Sequence, residues 1–370
     1  MAAPEERVAP AAGAAPKPDG TASASGGTSG GLPNGGDGQS YRAQNIPRSF
    51  YRDAAGATQR DLGGREMAEV VASGAGQLWV DIDSTNRHQH AFLEKIFHFH
   101  PLAIEDTLSP SSRVKLEEYD GYLFAIVRGV RFLEETDDPY DISTFNQYFF
   151  LGKNYLVTVH GEPSPSILQV TARLERNPEL TNPHPARLMH ALMDAEVDAY
   201  FPILDQIDEF VDGLEERVFA NFEEGALRDI FAVKRLVLGL RRHLSPQREV
   251  FNVFTNRPSP YIPPEVQVYF RDVYDHVLRI NDSLETYREL LSSTLDSYLS
   301  QVSNRLGKIT LGLSVVATMS IPFVVISGMW GMNFEHIPLS GVHNGFWWML
   351  ALQLGLGVAL VLGLRKWRLM

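Results

Sequence analysis

The chain has 370 residues, which is enough for more than one domain, and it carries a formal net charge of −12. Such an acidic balance disfavours nucleic acid as a partner and favours cations. The chain contains no cysteine, which excludes a disulfide framework, a thiolate metal site and a cysteine nucleophile. The first residues lack the apolar core of a secretory signal, so we expect the N-terminus to stay in the cytoplasm.

Residues 1–44 are rich in Ala, Gly, Pro and Ser. We predict a disordered tail there, because such a segment cannot bury enough apolar surface to offset the entropy of ordering. Strand and helix patterns interleave over residues 45–184, which predicts an α/β domain. The predicted elements are strands at Leu78–Ile82 and Tyr122–Phe132, a helix at His88–Phe99, and a hairpin at Phe145–Val159 that turns at Gly152-Lys153-Asn154.

Helical periodicity begins at residue 185 and predicts antiparallel helices over residues 185–262, followed by a stalk helix over residues 263–308. A continuous helix from Pro264 to Trp330 would be about 100 Å long. The apolar stripes are Leu204, Ile207, Val211, Leu214 and Val218 in the first region, then Leu236, Leu240 and Leu244, and Val277, Ile280, Leu284, Tyr287, Leu291, Leu295, Tyr298 and Val302 in the stalk.

Two uncharged apolar runs, residues 309–330 and 346–364, are each long enough to cross a hydrocarbon core of roughly 30 Å. Lys and Arg flank the pair just before residue 309 and in the basic tail, residues 365–370, whereas the connecting residues 331–345 contain neither. This asymmetry predicts that both termini are cytoplasmic and that the connection faces outward. The second run is almost purely Leu, Val, Ala and Gly, with Gln353 as its one strongly polar residue, and we expect it to face lipid.

The first run carries a row of small, polar and apolar residues on one helix face. One interpretation is that small residues simply let helices pack closely. The other is a pore wall. Since one hairpin cannot enclose a pore, several copies would surround an axis, and the stalk stripe would supply a means of assembly. The row consists of Thr310, Ser314, Ala317, Ile321, Val324 and Gly328.

The tripeptide Gly331-Met332-Asn333 follows the first run directly, with Phe334 and Glu335 after it. A small residue followed by a carboxamide suits a tight turn that points the Asn oxygen at the axis. A ring of neutral oxygens can hold a hydrated cation through its water shell, and Mg²⁺ dehydrates reluctantly and prefers oxygen ligands. The tripeptide is therefore the candidate selectivity filter.

These features resemble the CorA-type magnesium transporters, whose mark is Gly-Met-Asn after the first of two C-terminal spans. The resemblance implies a funnel-shaped homopentameric channel in the cell (inner) membrane, with an α/β cytoplasmic domain and a helical stalk. It implies influx of magnesium, with cobalt and nickel as further candidates, no enzymatic activity, and no cofactor besides magnesium as substrate and regulatory ligand. Other matching segments are His100-Pro101-Leu102, Glu105-Asp106, Val114 to Glu118, Ser245 to Glu249, Tyr269 to His276 and the basic, Trp-containing tail.

In that family, cytoplasmic carboxylates at subunit interfaces bind magnesium and close the channel when the ion is plentiful. Matched by position, Asp106 and Asp272 form the main pair, Glu105 lies beside them, and Asp194 is a further candidate. Facing carboxylates repel unless a divalent ion neutralises them, so the ion would become part of the closed interface. The alternative is a solvated acidic face.

The chain departs from the family pattern in two places. The family often has Asn and, three residues later, Met at the cytoplasmic mouth, where this chain has Gly307 and Thr310. We expect the inner polar ring to be lost, or moved to Asn304 or Thr310. Leu339 stands where many members have a second acid, which leaves Glu335 as the only acidic residue of the outer loop.

Other interpretations stay open beside this one. A cluster of His88, His90, His98 and His100 suggests a metal site, but we expect surface histidines on one helix, because His98 and His100 would not share a face. A zinc transporter of the same superfamily would share the hairpin and the funnel. A membrane-anchored enzyme or interaction protein is the alternative of another class, although no phosphate loop, nucleophile elbow or zincin spacing is found.

Overall fold

The computed structural model describes residues 45–109, 111–132, 142–162, 164–181, 184–219, 223, 225–332 and 341–366, so the predicted tail at 1–44 lies outside the described residues. The N-terminal part is a seven-stranded mixed sheet. Its strands are β1 (Arg48–Arg52), β2 (Thr58–Arg60), β3 (Gln77–Asp83), β4 (Lys115–Tyr119), β5 (Tyr122–Phe132), β6 (Ile142–Gly152) and β7 (Tyr155–His160). The spatial order is β2-β1-β3-β7-β6-β5-β4, and every neighbouring pair is antiparallel except β3 and β7.

Ten α-helices and one 3-10 helix (Pro178–Thr181) accompany the sheet within the described ranges. The α-helices are α1 (Gly64–Ser73), α2 (Arg87–His90), α3 (Phe92–Lys95), α4 (Pro101–Leu108), α5 (Pro165–Arg176), α6 (Pro185–Asp198), α7 (Phe201–Phe219), α8 (Ala226–Asn256), α9 (Pro264–Trp330) and α10 (Gly345–Lys366).

The central strands are apolar on both faces, because helices cover both sides of the sheet. Phe124, Ile126 and Phe150 pack on one face with residues of α1, α3 and α4. Their sequence neighbours Val127 and Phe149 point to the other face and pack with residues of α5 to α9. This alternation follows from the two-residue period of a strand. The predicted strands at Leu78–Ile82 and Tyr122–Phe132 and the hairpin around Lys153-Asn154 are confirmed.

The predicted helix at His88–Phe99 is wrong. The chain instead forms the short helices α2 and α3 and then turns at His98, whose φ of 52° is left-handed. The turn brings both Phe97 and Phe99 into the core beneath the sheet, where Phe99 stacks on Phe150 at 4.1 Å between ring centroids. Residues two apart on a helix point in different directions, so a continuous helix would expose one of these two rings.

Helix α9 is continuous over 67 residues, as predicted, and at 1.5 Å per residue it is about 100 Å long. It begins at Pro264, where the missing proline N–H costs nothing in the first turn. Its lower part packs with α7 and α8, and its last 22 residues together with α10 form a hairpin of two apolar helices. Both helices are long and apolar enough to cross a membrane.

The stalk stripe of α9 is buried inside the chain. Val277, Ile280, Leu284 and Leu291 are fully buried, and they belong to the same core as the confirmed stripe of α7. The prediction that the stripe supplies the means of assembly is therefore wrong at these four positions, because their apolar surface is already used within one chain. Three other members of the stripe are half-buried against the same core, namely Tyr287, Leu295 and Val302.

Candidate ion pathway and regulatory site

The predicted pore row lies on the side of α9 that α10 leaves uncovered. All six residues are exposed, Val324 at 68%. At about 100° per residue they share one face of the helix. Phe323 and Ser327, which contact α10, lie about 140° and about 100° around the helix from the centre of this row. The row is Thr310, Ser314, Ala317, Ile321, Val324 and Gly328.

Gly331 and Met332 end the first apolar helix. Gly331 has φ −81° and ψ −4°, and its N–H donates to the carbonyl oxygens of Ser327 and Gly328 at 3.1 Å. Any L-residue reaches this conformation, so the backbone at Gly331 does not itself select glycine. The side chain of Met332 is exposed. Asn333, Phe334 and Glu335 lie outside the described residues, and their predicted roles stay predictions.

A hydrogen bond and a close approach place helix α10 against α9 in the described part of the chain. The Gln353 side chain is buried and donates to the Ser327 hydroxyl at 2.9 Å, so the expectation that the second run faces lipid does not hold at this residue. One turn further on, a Cβ added at Gly357 would lie 2.8 Å from the Phe323 ring. These two contacts fix which face of α9 the second helix covers.

The inner end of the first span has no built polar ring within this chain. Gly307 and Thr310 are exposed, as is Asn304, and a Cβ at Gly307 would meet nothing within 4 Å. The sequence departure at these positions therefore leaves an open helix surface. Whether a polar ring forms there depends on neighbouring copies.

Asp106 lies in α4 and is held by its own chain. Its Oδ2 pairs with Lys115 Nζ at 2.8 Å, and Ser112 Oγ lies 3.1 Å from its Oδ1. Burial alone would lower the pKa of Lys115, but the hydrogen bonds and charges of Asp106 and Glu117 raise it, so the ammonium stays charged. Glu105, beside Asp106, is exposed. One predicted regulatory carboxylate is thus already neutralised by a lysine.

A second acidic cluster lies where α6 meets α9. Asp194, Asp198 and His276 each offer a ligand atom, and these atoms lie within 4.8 Å of one another. His276 Nδ1 is 3.0 Å from Asp198 Oδ1. Burial raises the pKa of Asp194, and the charges of Asp198 and Asp272 raise it further, whereas His276 lowers it. Carboxylates crowded in this way favour a cation between them.

The structure brings Asp194 and Asp272 together but leaves Asp106 apart from them. Asp272 is exposed and, among the described residues, takes part in no hydrogen bond or ion pair. Sequence reasoning missed Asp198 and His276. The signal was present, because Asp198 follows Asp194 by four residues and His276 follows Asp272 by four, so each pair shares a helix face.

The four histidines near residue 90 do not form a metal site in the part of the chain that the structure describes. His88 and His90 lie on α2, where His90 Nε2 bonds Thr107 Oγ1 at 2.8 Å. His98 and His100 are not on a helix surface as expected. His98 is in the left-handed turn, and His100 caps α4 by accepting from the Leu102 N–H at 3.2 Å.

Helix α9 runs unbroken from the α/β domain through an apolar span, and the apolar helix α10 lies beside that span. Acidic groups lie in the part of the chain that precedes the span. These features are typical of a two-span membrane transport protein. The comparisons identify its family. The family model described as "CorA-like Mg2+ transporter protein" matches residues 74–366. The chain belongs to the CorA-like Mg2+ transporter family.

Similar proteins extend over most of the chain. A "Putative metal ion transporter YfjQ" of Bacillus subtilis is 32% identical over 289 residues, which cover 78% of this chain and 87% of that protein. A "Cobalt/magnesium transport protein CorA" of Thermotoga maritima is 31% identical over 292 residues, covering 78% and 82%. The solved structure of the CorA magnesium transporter from Methanocaldococcus jannaschii superimposes with a TM-score of 0.72 at 20% identity, covering 87% and 98%. That structural likeness concerns the fold.

Proposed function

We propose that this protein is a magnesium channel that admits the ion to the cytoplasm down its electrochemical gradient. The observation that carries the proposal is the uncovered row on α9. The row lies on a helix that is continuous with the soluble domain, and Gly331 and Met332 follow directly after that helix. The name of the Thermotoga maritima relative adds cobalt as a further ion. Nickel is a third candidate.

Transport requires several copies around the uncovered row, and we take the family's homopentamer as the assembly. The placement of Lys and Arg supports cytoplasmic termini and an outward connection in the cell membrane. In this assembly, the row from Thr310 to Gly328 lines the pore and Asn333 faces the axis at its outer mouth. A divalent ion moving inward gains about 4.6 kcal/mol per 100 mV of inside-negative potential, so no energy-coupling site is needed.

Influx into vesicles tests this function. The full chain is reconstituted in liposomes that contain a magnesium-sensitive dye, and an inside-negative potential is imposed. We expect rapid uptake of magnesium by the wild type and loss of uptake in Asn333→Ala. The matched control is Asn344→Ala, which removes another carboxamide from the same connection and should leave influx within about twofold. Equal influx in the two variants would contradict the filter assignment.

The same vesicles separate the alternatives. Zinc, cobalt and nickel added outside as competitors report selectivity, and preferential passage of zinc would favour the zinc transporter. The relatives reported above are named as transporters, which fits a protein that is not an enzyme. An enzyme or a membrane-anchored interaction protein would give no voltage-driven influx at all.

We further propose that cytoplasmic magnesium closes the channel by binding Asp106, Glu105, Asp194 and Asp272 at subunit interfaces. The raised pKa of Asp194 supports this, because crowded and half-buried carboxylates gain most from a divalent ion. Lys115 already pairs with Asp106, so magnesium must compete with this lysine.

The variant Asp272→Lys tests the regulatory proposal. It should keep influx active at internal magnesium concentrations that close the wild type. The control is Asp296→Lys, which makes the same charge change on an exposed position of α9 away from the cluster. If Asp272→Lys closes at the wild-type concentration, the sensor assignment is wrong. The channel function is tested separately by the influx of Asn333→Ala.

A further inference from the structure

A buried polar network connects the loop beside Asp106 to the interior of the sheet. Ser112 Oγ lies 3.0 Å from the Asp106 carbonyl oxygen and 3.1 Å from its Oδ1. The carbonyl oxygen of Ser112 in turn accepts from Arg128 at 3.2 Å and from Asn146 at 3.0 Å. Arg128 Nε donates to Asn146 Oδ1 at 2.9 Å. The Arg128 guanidinium is therefore linked to Asp106 through Ser112.

Arg128 also reaches helix α8. Its guanidinium donates to His243 Nδ1 at 3.1 Å. Arginine cannot accept a hydrogen bond, so this contact requires His243 to be neutral at Nδ1. Burial, and then the charges of Arg128 and Arg242, lower the pKa of His243, which is consistent with that form. One helical turn further on, the fully buried Gln247 bonds both the N–H and the carbonyl oxygen of Arg128, at 3.2 and 3.1 Å.

Helix α8 lies along the lower part of α9, the helix that continues into the pore row. Lys234 Nζ donates to Ser292 Oγ at 3.2 Å, and an ion pair joins Arg241 to Glu285. Apolar side chains of both helices belong to one core. His243 and Gln247, two of the residues that bond Arg128, thus lie on the helix that packs against the stalk.

We infer that Arg128 is a positioning residue that couples the state of Asp106 to helix α9. The link to Asp106 runs through Ser112, and the link to α9 runs through His243 and helix α8. This inference rests on the proposed closure by magnesium at Asp106. Magnesium drawn to Asp106 shifts its pairing with Lys115 and Ser112, and the guanidinium transmits the shift to α8. The test measures this coupling directly.

The experiment measures the internal magnesium concentration that halves influx into vesicles containing the full chain. Arg128→Leu removes the guanidinium contacts but keeps the Gln247 bonds, which involve only the Arg128 backbone. We expect influx at low internal magnesium within about twofold of wild type and a half-closing concentration about tenfold higher. Arg128→Lys should fall between the two, and Arg235→Leu, which removes an exposed arginine elsewhere on α8, should match the wild type.

Two further variants keep the test decisive. His243→Leu removes the link from the Arg128 guanidinium to α8 and keeps the Gln247 bonds. It should raise the half-closing concentration even if Arg128→Leu fails to fold. Combining Arg128→Leu with Asp106→Asn should add little to Asp106→Asn alone, because both act on one pathway. A purely structural role would lower the melting temperature of Arg128→Leu without moving the half-closing concentration.

The outcomes separate the inference from the regulation on which it rests. If Asp106→Asn raises the half-closing concentration while Arg128→Leu and His243→Leu leave it unchanged, magnesium regulation stands and the positioning role is wrong. If Asp106→Asn closes like the wild type, the sensor assignment itself fails. A shift in Arg128→Leu without one in Asp106→Asn also overturns the inference, since Arg128 would then act independently of Asp106.

Discussion

The side-chain amide of Gln353 in α10 donates a hydrogen bond of 2.9 Å to the hydroxyl oxygen of Ser327 in α9. Gln353 is only 7% exposed, although it lies in the middle of an apolar helix. A bilayer offers no water to an unpaired amide, so the contact sets which face of α10 turns toward α9. The predicted pore row lies on a different face of α9, about 100° from Ser327, and is exposed in the single chain.

Replacement of Gln353 by Leu should weaken the helix pair. Interhelical hydrogen bonds in membranes contribute about 0.6 to 2 kcal/mol, and we expect a loss of stability in that range. Thermal unfolding of the detergent-solubilised protein measures it. Leu352→Ala, at a neighbouring exposed position, is the control. A double-mutant cycle with Ser327→Ala should give a coupling energy of the same size; additive effects would mean that the two side chains do not interact.

The approach of Gly357 to Phe323 gives a second prediction. A Cβ at Gly357 would lie 2.8 Å from the Phe323 ring, so Gly357→Ala should push α10 away from α9 and cost about 1 to 3 kcal/mol. Phe323→Leu in the same chain should restore part of the loss, because it removes the ring. Gly355→Ala is the matched control, since a Cβ there meets nothing within 4 Å. Equal melting temperatures for the two Ala variants would show that the close approach is absent.

The sequence predicted helix α9 correctly, because the spacing of apolar residues was sufficient to identify it. Apolar positions at spacings of three and four, with no proline between Pro264 and Pro322, were enough to predict α9 as one helix. The sequence could not show what covers the buried stripe, because periodicity identifies an apolar face without identifying its partner. Leu284 and Leu291 therefore suggested self-assembly, whereas they pack against α7 and α8 of the same chain.

Long-range geometry explains the other differences. The turn at His98 exists because Phe97 and Phe99 both enter the sheet core, and this core is built from β3, which precedes the turn, and from β5, β6 and β7, which follow it. The cluster of Asp194, Asp198 and His276 needs α6 to meet α9, which no local pattern specifies. The resemblance supplied Asp194 and Asp272, and the packing of the two helices adds His276.

Glu196 predicts a pH dependence of stability. It is buried in α6, where Ser164 donates to it, and burial raises its pKa from 4.5 to about 7. Between these values the folded state binds more protons than the unfolded state, so the free energy of unfolding falls as pH rises from about 4.5 to 7. At about 1.4 kcal/mol per pKa unit the full effect is on the order of 3 kcal/mol.

Urea unfolding of wild type and Glu196→Gln at a series of pH values measures this contribution. The difference between the two proteins should change over the window from about pH 4.5 to 7 and be constant on either side. Taking the difference cancels groups that titrate alike in both proteins. A control, Glu175→Gln, removes an exposed carboxylate on α5 and shows how far the loss of one surface charge alone changes the result. A flat difference for Glu196→Gln would mean that its carboxyl is not protonated in the folded protein near neutral pH.

The Lys115–Asp106 pair predicts a variant with increased sensitivity to magnesium. The lysine nitrogen, 2.8 Å from Asp106, occupies the place of a cation, so Lys115→Met should free the carboxylate for magnesium. We expect the half-closing internal concentration to fall severalfold, opposite in direction to Asp272→Lys. The control is Lys95→Met, which removes an exposed lysine elsewhere in the soluble domain. An unchanged or raised concentration in Lys115→Met would show that the lysine does not compete with the ion.

The buried stripe of α9 distinguishes folding from assembly. Leu284 is fully buried against its own chain, so Leu284→Ala should cost about 2 to 5 kcal/mol of stability by leaving a cavity. Leu299→Ala, at an exposed position of the same helix, should cost well under 1 kcal/mol. Thermal unfolding at two protein concentrations measures stability, and light scattering on the eluted species measures subunit number. Because the Leu284 contact lies within one subunit, we expect Leu284→Ala to unfold earlier at both concentrations and keep the wild-type subunit number. Dissociation into folded monomers would instead place the stripe between subunits.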